Sequence, residues 1–418
     1  MAKKKEELIR QSMTKVNWDF GDYNSLKYPL DLNSIPWYPA TFPAPIPKFL
    51  IGLLSEPEDI IFDPFGGKGT TAVEALKQRR RFIYNDLNPH AVSIMRCLLE
   101  ALNQKDEEFA LNIVECDRSA FALRDLSAND LIYKGKDEKE IYSKLPRNFR
   151  DELVNRNIKP EVVYWFHADT MQELLRLYDY IRNFQGVEKG IRKLAFLSIL
   201  KEVSSQRGHF SYVTDNCRPL EMKYYNAINA YLDMLDRLQR AYLDFLRQYS
   251  LLNKTDDLKL ISEKSLIHSG DAKDCSYIAD NSIDLIITSP PYLCAQDYIL
   301  TMRLNDFFFP ELGFTDLPFK EIGPRRLRTR SGIADSYFAD MDIVLKELYR
   351  VLKRDAYFCL IIGEGQGKVS KGINVVEKVM KSAADIGFKE ICKNTRNISY
   401  KINRNGGVNK EELILYKK

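Results

Sequence analysis

Residues 284–292 read DLIITSPPY. The apolar and β-branched run Leu285 to Thr288 predicts a short buried strand, cut off at Ser289-Pro290-Pro291-Tyr292. Two consecutive prolines have fixed φ and no backbone N–H, so the strand cannot continue and the chain beyond it is stiff. In an open parallel sheet, ligands sit at the C-terminal ends of strands. A rigid loop there, carrying the Ser289 hydroxyl, the Pro290 carbonyl and the flat face of Tyr292, can grip a planar group that bears an amine. Taken alone, the same four residues are equally a rigid turn.

Downstream of this stretch, YLCAQDYILTMRLNDFFF (292–309) predicts a helix, and GPRRLRTRSG (323–332) is a loop with Arg325, Arg326, Arg328 and Arg330. Such a run is either a solvated surface or a contact for phosphates. An amphipathic helix over 336–354, a strand from Ala356 to Ile362 and a helix over 373–386 follow. Residues 388–400 and 411–418 then pair as a terminal hairpin around NRNGG. Upstream, LIHSGDAKD (266–274) is a strand ending at Gly270-Asp271-Ala272. Further back, 101–262 carries charged helical patterns, with long apolar stripes at 173–184 and 225–249 and an irregular polar stretch at 204–221. That block predicts a largely helical insertion.

Earlier still, Ile60 to Phe62 predicts a strand ended by Asp63-Pro64, a glycine-rich turn Phe65-Gly66-Gly67-Lys68-Gly69, and a helix from Thr70. Glycines at a strand–helix junction let the backbone approach a ligand at a helix N-terminus. A phosphate-binding P-loop fails on spacing, because Gly67-Lys68 is followed by Gly69 rather than Ser or Thr. The next strand, RFIYNDLNP (81–89), ends at Asp86, where a carboxylate can take both hydroxyls of a ribose. The lead-in WYPATFPAPIPKFLIGLL (37–54) is proline-stiffened and then helical from Ile46. Strands alternating with helices predict an α/β fold with a doubly wound, mostly parallel sheet and a C-terminal antiparallel hairpin.

Composition narrows the class. With 418 residues and 45% hydrophobic content, the chain can bury a large core and is long enough for two domains or one with an insertion. No apolar run is long enough for a membrane span, and the charged start MAKKKEELIRQSM lacks a signal-peptide core, so the protein reads as cytoplasmic. Seven cysteines scattered at 97, 116, 217, 275, 294, 359 and 392 form no CxxC pair, which argues for free thiols and against a structural metal. A net charge of +4 confines any basic surface to a local patch.

The ordered set DPFGGKGTT, YNDLNP, GDA and TSPPY resembles the S-adenosyl-L-methionine (AdoMet)-dependent DNA amino-methyltransferases, which modify cytosine N4 or adenine N6. The likeness covers roughly 15–100 and 263–418, and only vaguely the block between. It implies a class I, Rossmann-like methyltransferase domain over 1–100 and 263–418, with 101–262 as a candidate target-recognition region. AdoMet is the implied cofactor, held by Asp63, Phe65, Gly67, Gly69, Asp86 on the ribose and Asp271 on the adenine. The implied target-base clamp is Ser289, Pro290, Pro291 and Tyr292, with no metal. Duplex DNA is the implied partner, with a cognate restriction endonuclease in a restriction–modification setting. Lys68 departs from the small residue usual in the family; it reaches either solvent or the cofactor carboxylate. Family members acting on cytosine mostly open the clamp with Ser, as here, and those acting on adenine with Asp or Asn, so N4 of cytosine is the expected target. Adenine N6, an RNA substrate and a non-catalytic nucleic-acid-binding module are the alternatives. Cys294 follows Tyr-Leu rather than a proline, so a covalent route through it, as in carbon-5 cytosine enzymes, is not expected.

Overall fold

The reversal of winding between two central strands places the site. A computed structural model describes residues 2–20, 32–34, 41–103, 107–122, 147–206, 218–219, 221–252, 256–313, 316–398 and 410–418. Its sheet has seven strands: β1 (Ile60–Asp63), β2 (Arg81–Asp86), β3 (Leu266–Ser269), β4 (Ile283–Thr288), β5 (Leu352–Gly363), β6 (Lys389–Asn397) and β7 (Lys410–Lys417). Their spatial order is β3-β2-β1-β4-β5-β7-β6. The first five strands pair in parallel, and β7 runs antiparallel between β5 and β6. The chain winds outward from β1 through β2 to β3, then returns to lay β4 beside β1 with Phe62 against Ile286. This is the doubly wound class I methyltransferase topology, and its switch point opens a crevice beyond the C-terminal ends of β1 and β4.

Alternation along the strands feeds two apolar layers. Ile61, Leu285, Ile287, Cys359 and Leu413 face one layer, while Phe62, Ile286, Phe358, Leu360 and Ile414 face the other. Strands covered on both faces are therefore apolar nearly throughout, as buried parallel sheets require. Helices 333–351 and 375–386 cover the second layer. The first is covered by Pro45–Leu54, Thr70–Lys77, Pro89–Asn103 and the helices from the block before β3. In Pro45–Leu54, proline at the first turn sets a helical φ without losing a needed N–H, and Ile46, Leu50, Ile51 and Leu54 make the buried stripe.

Between β2 and β3 the described elements are helical, including Ala168–Arg182, Gly186–Ile199 and Ala227–Leu252. Their Tyr and Leu stripes pack inward, with Tyr231, Leu235 and Phe245 buried. Most of the irregular stretch 204–221 and the NRNGG turn lie outside the described residues.

One element differs from the sequence expectation. Of 292–309, only Arg303–Phe308 is α-helix, preceded by a single 3-10 turn at Leu300–Met302. Cys294 has a left-handed φ of 57°. The N–H groups of Tyr298 and Ile299 go to the Glu321 carboxylate instead of to a preceding turn. Apolar spacing suggested a helix, but a buried carboxylate distant in sequence captured its donors.

Candidate active site

Asp63, at the end of β1, ties the two central strands to the glycine turn. Its Oδ1 accepts from Thr288 Oγ1 at the end of β4 (2.7 Å) and from the Phe65 N–H (3.1 Å), and its Oδ2 accepts from Thr71 Oγ1 (2.7 Å). Burial pushes this carboxyl up to about 6, against the pull of those three donors. The turn itself needs glycine for two reasons. At Gly66 an added Cβ would lie 2.2 Å from the Tyr84 ring, and Gly69 has a φ of 89°, where its Cβ would meet Met95 Sδ at 2.3 Å. Tyr84 also donates its hydroxyl to the Gly67 carbonyl (2.6 Å), so β2 fixes the turn from below.

Asp86 closes the turn from the next strand. Its Oδ2 accepts from the Gly67 N–H and its Oδ1 from the Asn88 N–H, both at 2.8 Å. Burial raises this carboxyl to about 6, more than the two N–H donors lower it. Beside it, Asn85 donates to the Pro64 and Gly270 carbonyls, both at 3.1 Å, and so holds the glycine turn to the turn after β3. Asp271, in that second turn, accepts from the Lys273 N–H (3.0 Å).

These turns surround a cavity. Of the residues expected at the site, Phe65, Gly67, Asp86, Asp271, Ser289 and Pro291 line it; Asp63, Gly69, Pro290 and Tyr292 stand behind the wall. Tyr292 is 7% exposed, so its ring is not presented for stacking. Its hydroxyl lies 3.2 Å from Ser289 Oγ, and the Pro291 carbonyl accepts from Tyr337 Oη at 3.1 Å. Thr41 and Phe42, from the proline-rich lead-in, line the cavity as well.

Lys68 follows neither expected course: its ammonium donates to the Asn33 carbonyl. Cys294 is buried and outside the lining, and burial raises its thiol above the usual range. The sequence reading missed Tyr298, Ile299, Lys320 and Glu321, which complete the cavity wall. Glu321 was unmarked by any motif; its carboxyl, raised to about 7 chiefly by burial, joins the Tyr298 and Ile299 N–H groups to Arg326 Nη1 at 2.7 Å. Arg326 also donates to Asp297 (3.3 Å), so this arginine is engaged within the protein, whereas Arg328 and Arg330 are exposed. Among the described residues, no group of three or more His, Cys, Asp or Glu could hold a metal ion. No described helix is long and apolar enough to cross a membrane.

Parts of the chain are similar to known DNA methylases. Residues 2–96, which contain the glycine turn and Asp86, match the N6_N4_Mtase family model, described as DNA methylase. Type II methyltransferase M.PvuII of Proteus hauseri is 40% identical over 62 residues, 15% of this chain and 18% of that protein. M.BsoBI of Geobacillus stearothermophilus is 26% identical over 59% of this chain and 46% of its own length. M.MjaII of Methanocaldococcus jannaschii is 22% identical over 73% of this chain and 67% of its own. The chain thus spans less than half of the first two relatives. The chain is similar over residues 2–96 to the N6_N4_Mtase family model and, over longer stretches, to type II methyltransferases.

Proposed function

We propose that the protein transfers the methyl group of AdoMet to an exocyclic amine in duplex DNA, the N4 amine of cytosine. The observation that carries this reading is the cavity at the switch point, where Asp86 and Asp271 meet Ser289 and Pro291. The donor set fits the cofactor. An ionised carboxylate has about four acceptor positions. Asp86 spends one on each oxygen, so both oxygens can still accept from a pair of ribose hydroxyls. Asp271 is placed to accept from an adenine amine, and Phe42 and Phe65 give the cavity apolar walls.

AdoMet supplies a methyl group on a sulfonium that needs no activation as a leaving group. The work of the chain is alignment and exclusion of water. A target base inside a duplex must first leave the stack. Ser289 Oγ then accepts from its amine and turns the nitrogen lone pair toward the methyl group. Tyr298, which lines the cavity, offers the aromatic face that Tyr292 does not. The cytosine assignment is supported by Ser289 where adenine enzymes of the family mostly carry Asp or Asn. The same reading gives the protein a cytoplasmic role beside a cognate restriction endonuclease. The helical block 101–262 would read the DNA sequence.

The test is incubation with tritiated AdoMet and unmethylated duplex DNA, digestion to nucleosides and separation. Label in N4-methylcytosine is the expected result. Label only in N6-methyladenine would move the target to adenine, label only with RNA would change the substrate class, and no transfer to any nucleic acid would overturn the enzyme reading.

A further inference from the structure

The segment that completes the cavity wall also carries the most exposed large apolar side chain among the described residues. Phe319 is 87% exposed, well beyond the next, Val154 at 62%. A lone apolar residue on a surface is ordinary, but the position of this one is not. Its neighbour Lys320 is exposed and lines the cavity, so it stands at the rim, and Glu321 and Ile322 continue into the buried wall. Two residues of chain span about 7 Å at most, so Phe319 is tethered at the mouth. The turn that presents it is stiff. Leu317–Lys320 is a single 3-10 turn containing Pro318, and the Phe319 N–H donates to the Asp316 carbonyl (3.2 Å). Directly after it, Glu321 is clasped by Arg326 Nη1 (2.7 Å) and by the N–H groups of Tyr298 and Ile299. Exposed Arg328 and Arg330 follow in the same connection, so the ring is accompanied by cations.

We propose that Phe319 is a DNA wedge, entering the base stack beside the target as that base moves into the cavity. The inference rests on the duplex-DNA methyltransferase reading above. Taking a base out of a duplex costs its pairing and its stacking. A phenyl ring has two flat apolar faces and no hydrogen-bonding group, so it stacks on the bases left behind whatever their identity. Apolar side chains inserted in this way partly unstack a base step. Insertion also removes the exposed ring from water, which offsets part of the cost. Lys320, Arg328 and Arg330 supply positive charge for the flanking phosphates, contacts that set register without reading sequence. A wedge works only at a fixed distance from the site it serves, and the Glu321 clasp ties this one to the cavity wall. Phe319 touches neither the methyl group nor the amine in this scheme; it is a positioning residue.

The test separates help with extrusion from a plain surface contact. The base methylated by the wild type is first mapped on unmethylated duplex DNA, and a short duplex carrying that site is the probe. In single turnovers with saturating AdoMet and duplex, Phe319→Ala should slow transfer by about 10- to 100-fold, the scale of one lost base–aromatic stack. AdoMet affinity by calorimetry should stay within about twofold, because Phe319 is outside the cavity lining. A second duplex carries the same site with an abasic position opposite the target base, which is then already unpaired and easier to extrude. On that duplex Phe319→Ala should come within about threefold of the wild type. Phe319→Trp, still flat and apolar, should keep transfer on the paired duplex. A wild-type rate in Phe319→Ala on the paired duplex, or an equal loss on both duplexes, would overturn the wedge while leaving the enzyme reading intact. No transfer by the wild type to any duplex would overturn both.

Discussion

Asp86 and Asp63 are both buried aspartates at strand ends, yet they have different work. Asp86 faces the cavity with acceptor capacity to spare, so Asp86→Ala should weaken AdoMet binding by about 1–3 kcal/mol, the scale of lost hydrogen bonds to a charged group. Unchanged affinity by calorimetry in the folded variant would remove Asp86 from the ribose. Its carboxyl is raised to about 6, so the ionised acceptor form is lost as pH falls through that value. AdoMet affinity should therefore drop on acidification through about 6, and Asp86→Asn should flatten the profile; whatever dependence survives belongs to Asp63, raised to about the same value, and to Glu321 in the cavity wall, raised to about 7. Asp63 spends its oxygens on Thr71, Thr288 and Phe65, so Asp63→Ala should destabilise the fold by about 1–3 kcal/mol. Thermal unfolding measures this, and an unshifted midpoint would mean the tie is idle. The sequence placed both carboxylates at strand ends. It could not tell which one faced the cavity, because that depends on β4 delivering the Thr288 hydroxyl to Asp63 from 225 residues away.

At the scale of elements, apolar alternation was enough to locate the strands, because a sheet covered on both faces tolerates little else. The segment after the clamp was less legible. Its apolar spacing fits a helix, but Glu321 and Asp297 hold it as a strap and bind Arg326 across to the arginine loop. That clasp divides the four arginines. Replacing exposed Arg328 and Arg330 with alanine should weaken DNA binding and reduce the slope of log affinity against log salt by about 2, because fewer counterions are released. Arg326→Ala should leave the slope nearly unchanged and instead lower AdoMet affinity, since it frees the Glu321 carboxylate that positions Tyr298 and Ile299. Binding isotherms at several salt concentrations distinguish the two. An unmoved slope in the Arg328/Arg330 double variant would make the loop a solvated surface.

At the scale of the whole molecule, the helical block between β2 and β3 is joined to the sheet by a shared core. Ile61 and Leu285 of the sheet, Leu98 and Leu102 of helix Pro89–Asn103, and Leu194, Phe196 and Leu235 of the block belong to one continuous apolar cluster. The change in composition near residue 101 marks a change of element type, and composition alone cannot report which faces pack together. Within the block, Arg192 and Asp117 are paired at 2.8 Å with side chains 2% and 0% exposed, and Tyr180 and Tyr231 also donate to Asp117 at 2.9 and 2.8 Å. Removing one partner of such a pair leaves a buried charge uncompensated, at a cost of about 3–5 kcal/mol. The two tyrosines still donate in Arg192→Met, so the lower end of that range is expected. Because the core is continuous, the loss should lower one cooperative transition for the whole chain, and saturating AdoMet should raise that same transition in both proteins. Differential scanning calorimetry decides the point. A separate, earlier transition in Arg192→Met that AdoMet does not move would show that the block folds as an independent domain, able to be lost while the methyltransferase sheet stands.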